Sequence, residues 1–150
     1  MKIRIEQAEQ DEIIIRCRNP NERIYALKSA IEDILKQEHT IRVFSGTTVY
    51  FIPQNDILFF ESHEGKVYAH TKEATYTVQS RLFELEEHLP ASFTRISKSV
   101  IVNLKHIVSM RREVVGNGEL SFRDCPKKVY FSRAYYKLLQ YKIEEMRLQS

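Results

Sequence analysis

Through most of this chain apolar and polar residues alternate with a period of two, which marks strands, and in three stretches the apolar residues return every three or four positions, which marks helices. Residues 2–6 (KIRIE) alternate and residues 12–17 (EIIIRC) form a β-branched run, so both read as strands. A helix is expected over 20–37, with Asn19 as its cap, Pro20 at the first helical position and Glu22 three residues after the cap. Ile24, Leu27, Ile31, Ile34 and Leu35 then fall on one face. Two strands cannot cover such a helix alone, so this β-β-α unit is expected to dock on the rest of the chain or on another chain.

From residue 41 onward short strands dominate: IRVF at 41–44, TVYFI at 48–52, ILFFES at 57–62, KVYAHT at 66–71 and TYTVQ at 75–79. Ser45-Gly46, Pro53-Gln54-Asn55 and Glu64-Gly65 supply turns between them. Ser80 is positioned to cap a short helix, RLFELEEHL, which buries Leu82, Phe83, Leu85 and Leu89 and stops at Pro90. Strands resume at 93–96, 99–103, 106–112, 119–123 and 127–132, with Gly116-Asn117-Gly118 as a hairpin turn. Ser132 should cap a last helix whose apolar face is Tyr135, Leu138, Leu139, Ile143 and Met146. The expected fold class is mostly β, a β-rich α+β chain, divided into an extension over 1–45 and a main domain over 46–150.

Composition changes this picture little: 43% hydrophobic and 29% charged residues suit an ordinary folded domain. No apolar run approaches the roughly 20 residues of a membrane-spanning helix. The N-terminus lacks a secretory h-region, and Cys17 and Cys125 form neither a disulfide framework nor a metal-ligand spacing, so a cytoplasmic location is expected. Charge changes it more. Residues 1–90 carry 11 Lys/Arg against 15 Asp/Glu, and residues 91–150 carry 12 against 5. A basic half is the electrostatic footprint of a phosphate-binding surface, although a solvated face balanced by acidic neighbours gives the same count.

No glycine-rich phosphate loop, nucleophile elbow, HExxH or CxxC occurs, and His39, His63, His70, His88 and His106 are scattered away from ligand spacing. Glu84, Glu86 and Glu87 read as the solvated face of a short helix rather than as an acid/base pair. The chain is therefore read as a non-enzyme with no cofactor and no metal. Its most informative stretch is 89–107, LPASFTRISKSVIVNLKHI, which gathers Arg95, Ser97, Lys98 and Ser99 where a continuous apolar strand begins. Arg and Lys can pair with phosphate or guanine, and Ser can donate to a phosphate oxygen. An ordinary strand edge with solvated charges is the competing reading. Ser132-Arg133 repeats the combination where the last helix starts, a place that favours anions.

These blocks also carry a family resemblance. ILFFESHEGKVYAHT, LFELEEHLP, SFTRISKSVIVNLKHI, GELSFRD and VYFSRAYYKLLQYKI, in that order over roughly 46–147, resemble the LytTR DNA-binding domains of bacteria. Their distinctive core is F-x-R-I-x-[KR]-S-x-I-V-N. The resemblance implies short antiparallel sheets that meet double-stranded DNA through loops and helix starts rather than through an inserted recognition helix. It also assigns positions: the loop of His63, Gly65 and Lys66 matches the first contact loop. Lys98 falls where the core presents a side chain to a base edge, and Arg133 matches the basic residue after the serine of the last helix. Arg95, Ser97, Ser99 and Lys105 are candidates for phosphate contacts, and Asn103 reads equally as a strand-end hydrogen-bonding residue.

Familiar members carry a phosphoryl-receiver domain ahead of this module, and 45 residues cannot hold one; the chain is similar to free-standing members with a short extension. The resemblance then implies a transcription regulator that binds promoter repeats as a homodimer, with a regulatory protein partner open. The alternative is a protein-interaction or sensor module on the same β fold that does not bind DNA. The two differ in whether Lys98 and Arg133 are free or held in buried ion pairs.

Overall fold

In the computed structural model, which describes residues 1–35 and 39–148, the chain divides into two compact units, 1–37 and 38–150. Among its described residues the first holds one helix, α1 (Glu22–Leu35). The strands expected at 2–6 and 12–17 are absent: residues 1–21 carry neither helix nor strand, and Ile3 and Ile5 are 94% and 99% exposed. Alternation makes a strand possible, but a lone pair of strands without an apolar layer to cover gains too little to order itself. The helix begins two residues later than expected, because Asn21 rather than Asn19 caps it, its Oδ1 accepting from the Ile24 N–H at 3.1 Å. No α1 residue is buried.

Among its described residues the second unit contains ten strands. Seven form one antiparallel sheet in the order β2 (Thr48–Pro53), β1 (Thr40–Ser45), β5 (Thr75–Val78), β4 (Lys66–His70), β3 (Phe59–His63), β7 (Val100–Asn103), β6 (Phe93–Ser97). Three form a second sheet in the order β10 (Cys125–Phe131), β9 (Gly118–Phe122), β8 (Ile107–Arg112). Helix α2 is Leu82–His88 and helix α3 is Tyr136–Leu148. This β-rich antiparallel architecture is the expected class. No helix among the described residues is long and apolar enough to cross a membrane.

Apolar runs at β3 and β7 follow from burial on two faces. Phe59, Val100 and Val102 join one core with Leu120, Phe122 and Phe131 of the second sheet and Leu139 of α3. Their neighbours Phe60 and Ile101 point the other way, into a core closed by Leu82 and Leu85 of α2. Successive side chains of a strand point to opposite faces, so a strand covered on both sides must be apolar throughout. Two details of the helices differ from expectation. Phe83 is 56% exposed rather than buried. In α3, Tyr136 packs on the core while Leu138 faces out, because the 3-10 turn Arg133–Tyr135 shifts the helical phase. Neither expected serine cap acts: α2 starts after Arg81, whose N–H donates to Glu84 Oε1 at 3.3 Å, and Ser132 makes no side-chain cap bond.

The two sheets are also joined by polar contacts. Lys127 of β10 donates from Nζ to the carbonyls of Thr71 (2.8 Å) and Ala74 (3.1 Å) at the β4–β5 turn, and lies 3.4 Å from His70 Nδ1. The His70 ring stacks on Phe59 at 4.2 Å and its Nε2 lies 2.7 Å from Glu61 Oε1. Neutral His70 fits this setting by donating from Nε2 to Glu61 and accepting from Lys127 at Nδ1. Burial lowers the His70 pKa from its ordinary 6.5, an effect that Glu61 opposes and the Lys127 charge reinforces. The depressed value means that the unfolded chain takes up this proton first. Stability from this group is therefore complete above pH 6.5 and is lost as pH falls through the lower folded value. Urea midpoints measured between pH 7.5 and pH 5 should fall with acid, and less steeply for His70→Gln; parallel profiles would refute this role.

Candidate nucleic-acid interface

Strand register brings the sequence-marked loops to one end of the large sheet. His63 pairs with Lys66 across the two-residue turn Glu64-Gly65, so their side chains share a face of the hairpin. Both turn residues have positive φ, 50° and 79°, the backbone that a tight two-residue hairpin requires. Ser97 pairs with Val100 across the turn Lys98-Ser99. Because β3 and β7 are neighbours, the two tips lie side by side, tied by the Ser62 N–H donating to the Ser99 carbonyl at 2.8 Å. The Ser132 N–H donates to the Ile96 carbonyl at 2.9 Å, which sets the start of the last helix beside β6. Ser97, Ser99, Ser132 and Arg133 consequently line one cleft of about 400 Å³.

The candidate side chains divide by what they touch. Lys66, Lys98 and Arg133 are exposed, and none makes an ion pair among the described residues. His63 is exposed and 3.7 Å from Glu64. Ser97 and Ser99 face each other, Oγ to Oγ, at 3.4 Å across the base of the turn.

Arg95 is engaged internally. Its Nε donates to the Ser97 carbonyl at 2.8 Å, one terminal nitrogen to Glu86 at 2.9 Å and the other to the Lys98 carbonyl. It braces the turn that presents Lys98, and its side chain is only 16% exposed. Lys105 lies in the 3-10 turn Leu104–His106, at the opposite end of β7 from the Lys98 turn, and does not join the cluster. Asn103 is fully buried, donating to the Ile57 carbonyl at 3.0 Å and accepting from the Lys105 N–H at 3.2 Å. It is a packing and hydrogen-bonding residue.

The family model of the LytTr DNA-binding domain matches residues 47–144. The chain belongs to the LytTR family. Among curated proteins it is 31% identical over 120 residues to an uncharacterised HTH-type transcriptional regulator of Staphylococcus aureus strain NCTC 8325, covering 80% of each chain. It is 30% identical, with the same coverage, to the corresponding regulator of strain MRSA252. The solved LytTr DNA-binding domain of a Bacillus cereus protein, described as a methyl-accepting/DNA response regulator, matches in fold with a TM-score of 0.66 at 24% identity, over 71% of this chain and 97% of that one. A LytTR domain is a DNA-binding module and not an enzyme class, and the sheet end with Lys66, Lys98 and Arg133 is the candidate surface for that activity.

The sequence reading overlooked four residues that line the same cleft, Val115, Asn117, Tyr130 and Phe131. The one signal for the first two was the Gly116-Asn117-Gly118 turn, and the structure moves that turn. Its loop is Val114-Val115-Gly116, closed by the Glu113 N–H donating to the Asn117 carbonyl at 2.7 Å.

Proposed function

We propose that this protein is a sequence-specific transcription regulator that binds promoter repeats as a homodimer in the cytoplasm. The single observation that carries the reading is the exposure of Lys66, Lys98 and Arg133, without ion-pair partners among the described residues, at one end of a LytTR sheet. Lys98 and Arg133 would face base edges, His63, Gly65 and Lys66 would form a neighbouring contact loop, and Ser97 and Ser99 would donate to phosphate. Arg95 acts in this scheme as a positioning residue, and Lys105 stands outside it. The names of the staphylococcal relatives support a role in transcription. Buried ion pairs at Lys98 and Arg133 would have favoured the competing protein-interaction reading; both side chains are exposed, with no ion pair among the described residues.

The deciding experiment is selection of bound duplexes from a random pool, followed by titration of salt. Recovered sequences should contain two repeated half-sites carrying two protein chains, and log affinity should fall linearly with log salt as each neutralised phosphate releases about 0.9 counterion. No enrichment, or a flat salt response, would favour the interaction module.

Residues 1–45 are proposed to serve self-association or a regulatory partner rather than DNA, since they carry 8 Lys/Arg and 8 Asp/Glu. Deleting residues 1–37 should then abolish the dimer and retain half-site binding. A truncated protein that stays dimeric but loses half-site affinity would contradict this role.

A further inference from the structure

We infer that the β8–β9 turn is an additional DNA-reading element, in which Val115 meets the C5 methyl group of a thymine next to the base faced by Arg133. The inference rests on the reading that this end of the sheet receives DNA.

The turn packs against Arg133. Gly116 is buried with φ +99°, and a Cβ built on it would lie 2.9 Å from Arg133 Cγ, so the loop backbone lies directly on the arginine stem. Two bonds close the loop, Glu113 N–H to Asn117 O at 2.7 Å and Gly116 N–H to Glu113 O at 3.0 Å. The shape of the loop is therefore set by its own backbone bonds, and it lies against the Arg133 stem. At that tip Val114 is fully exposed and Val115 is 69% exposed, where hairpin tips ordinarily carry Asn, Asp or Gly.

An exposed valine by itself needs no explanation. Val115, however, lines the cleft formed by Ser97, Ser99, Ser132 and Arg133, so a ligand that fills the cleft also covers it. The hydroxyls and the guanidinium are donors suited to phosphates and to guanine O6 and N7. Among the base edges of the major groove, the thymine methyl is the apolar group a valine can match. Val115 and Arg133, side by side, would then read two adjacent positions, one by a methyl contact and one by hydrogen bonds. Gly116 is the positioning residue, because its φ of +99° is strained for any other residue and a Cβ there would displace the Arg133 stem.

The test uses the full chain and a duplex recovered from the random pool, with each thymine replaced in turn by deoxyuridine, which removes only the methyl. One or two thymines adjacent to the position weakened by Arg133→Ala should lose about 5- to 10-fold in affinity, at the low end of the range for a single base contact. Val115→Ser should lose the same factor on the thymine duplex and show no further loss on the deoxyuridine duplex, as a coupled pair requires. Val115 is exposed, so an unchanged melting temperature should certify the fold. The inference is overturned if the duplex is bound but no deoxyuridine weakens it, or if Val115→Ser loses affinity equally on both duplexes. Failure to recover any duplex overturns the DNA reading and this inference with it, whereas recovery without methyl sensitivity overturns the inference alone.

Discussion

Lys98→Ala and Arg133→Ala are each expected to lower affinity for the selected duplex by about 1–3 kcal/mol, roughly 5- to 150-fold, with relaxed preference at one or two base positions. The size follows from base-edge geometry: a well-aligned cationic side chain discriminates one base pair, and its removal leaves that base edge unpaired. Folding should hardly change, because both side chains are exposed and make no ion pair among the described residues. Arg95→Ala provides the contrast. Arg95 bonds to the Ser97 and Lys98 carbonyls and to Glu86, so its loss should lower stability and blur the Lys98 turn together. Binding isotherms beside thermal melts separate the two patterns. Unchanged operator affinity in both Lys98→Ala and Arg133→Ala, with the fold intact, would remove these residues from the interface.

Gly118→Ala should be the most damaging small substitution for stability, at roughly 3 kcal/mol, near the top of the usual range for overpacking. A Cβ at this position would stand 2.0 Å from the Arg111 carbonyl oxygen and 2.6 Å from Cζ of Phe131. The first is backbone of the paired strand β8 and the second is a core ring that is 2% exposed, so neither can step aside cheaply. Relief would require β8 and β9 to separate at the base of the 113–117 loop, and binding should therefore weaken along with folding. Melting temperature should drop by about 10 °C for a domain of this size. An alanine tolerated within about 0.5 kcal/mol would mean that the second sheet is paired differently from the register described.

The succession of strands along the main domain was readable for a local reason. β3 and β7 are buried on both faces and so appear as the runs ILFF and VIVN, while turn residues mark the breaks. The distinctive core motif was readable too, and with it the LytTR membership. Element ends were less legible: Asn19 and Asn21 are equally good caps by type, and only the hydrogen bond to Ile24 chooses between them. The alternation at 2–6 misled, because a strand pattern records which face could be buried and not whether anything buries it.

Charge illustrates the boundary best. Sequence alone determined that residues 91–150 are basic, that the chain is β-rich, and which residue types surround the core motif. It could not determine which of those charges are free. Tertiary structure engages Lys127 with the β4–β5 turn, Arg95 with the Lys98 turn, Arg111 and Lys128 with Glu119, and Arg112 over the Tyr136 ring at 4.0 Å. It leaves Lys66, Lys98 and Arg133 exposed at one sheet end, and it places Val115 beside Arg133 where composition suggested only a polar turn. The reason is physical: periodicity reports what each residue faces within its own element, while the meeting of side chains distant in sequence depends on strand order and register, which long-range packing decides.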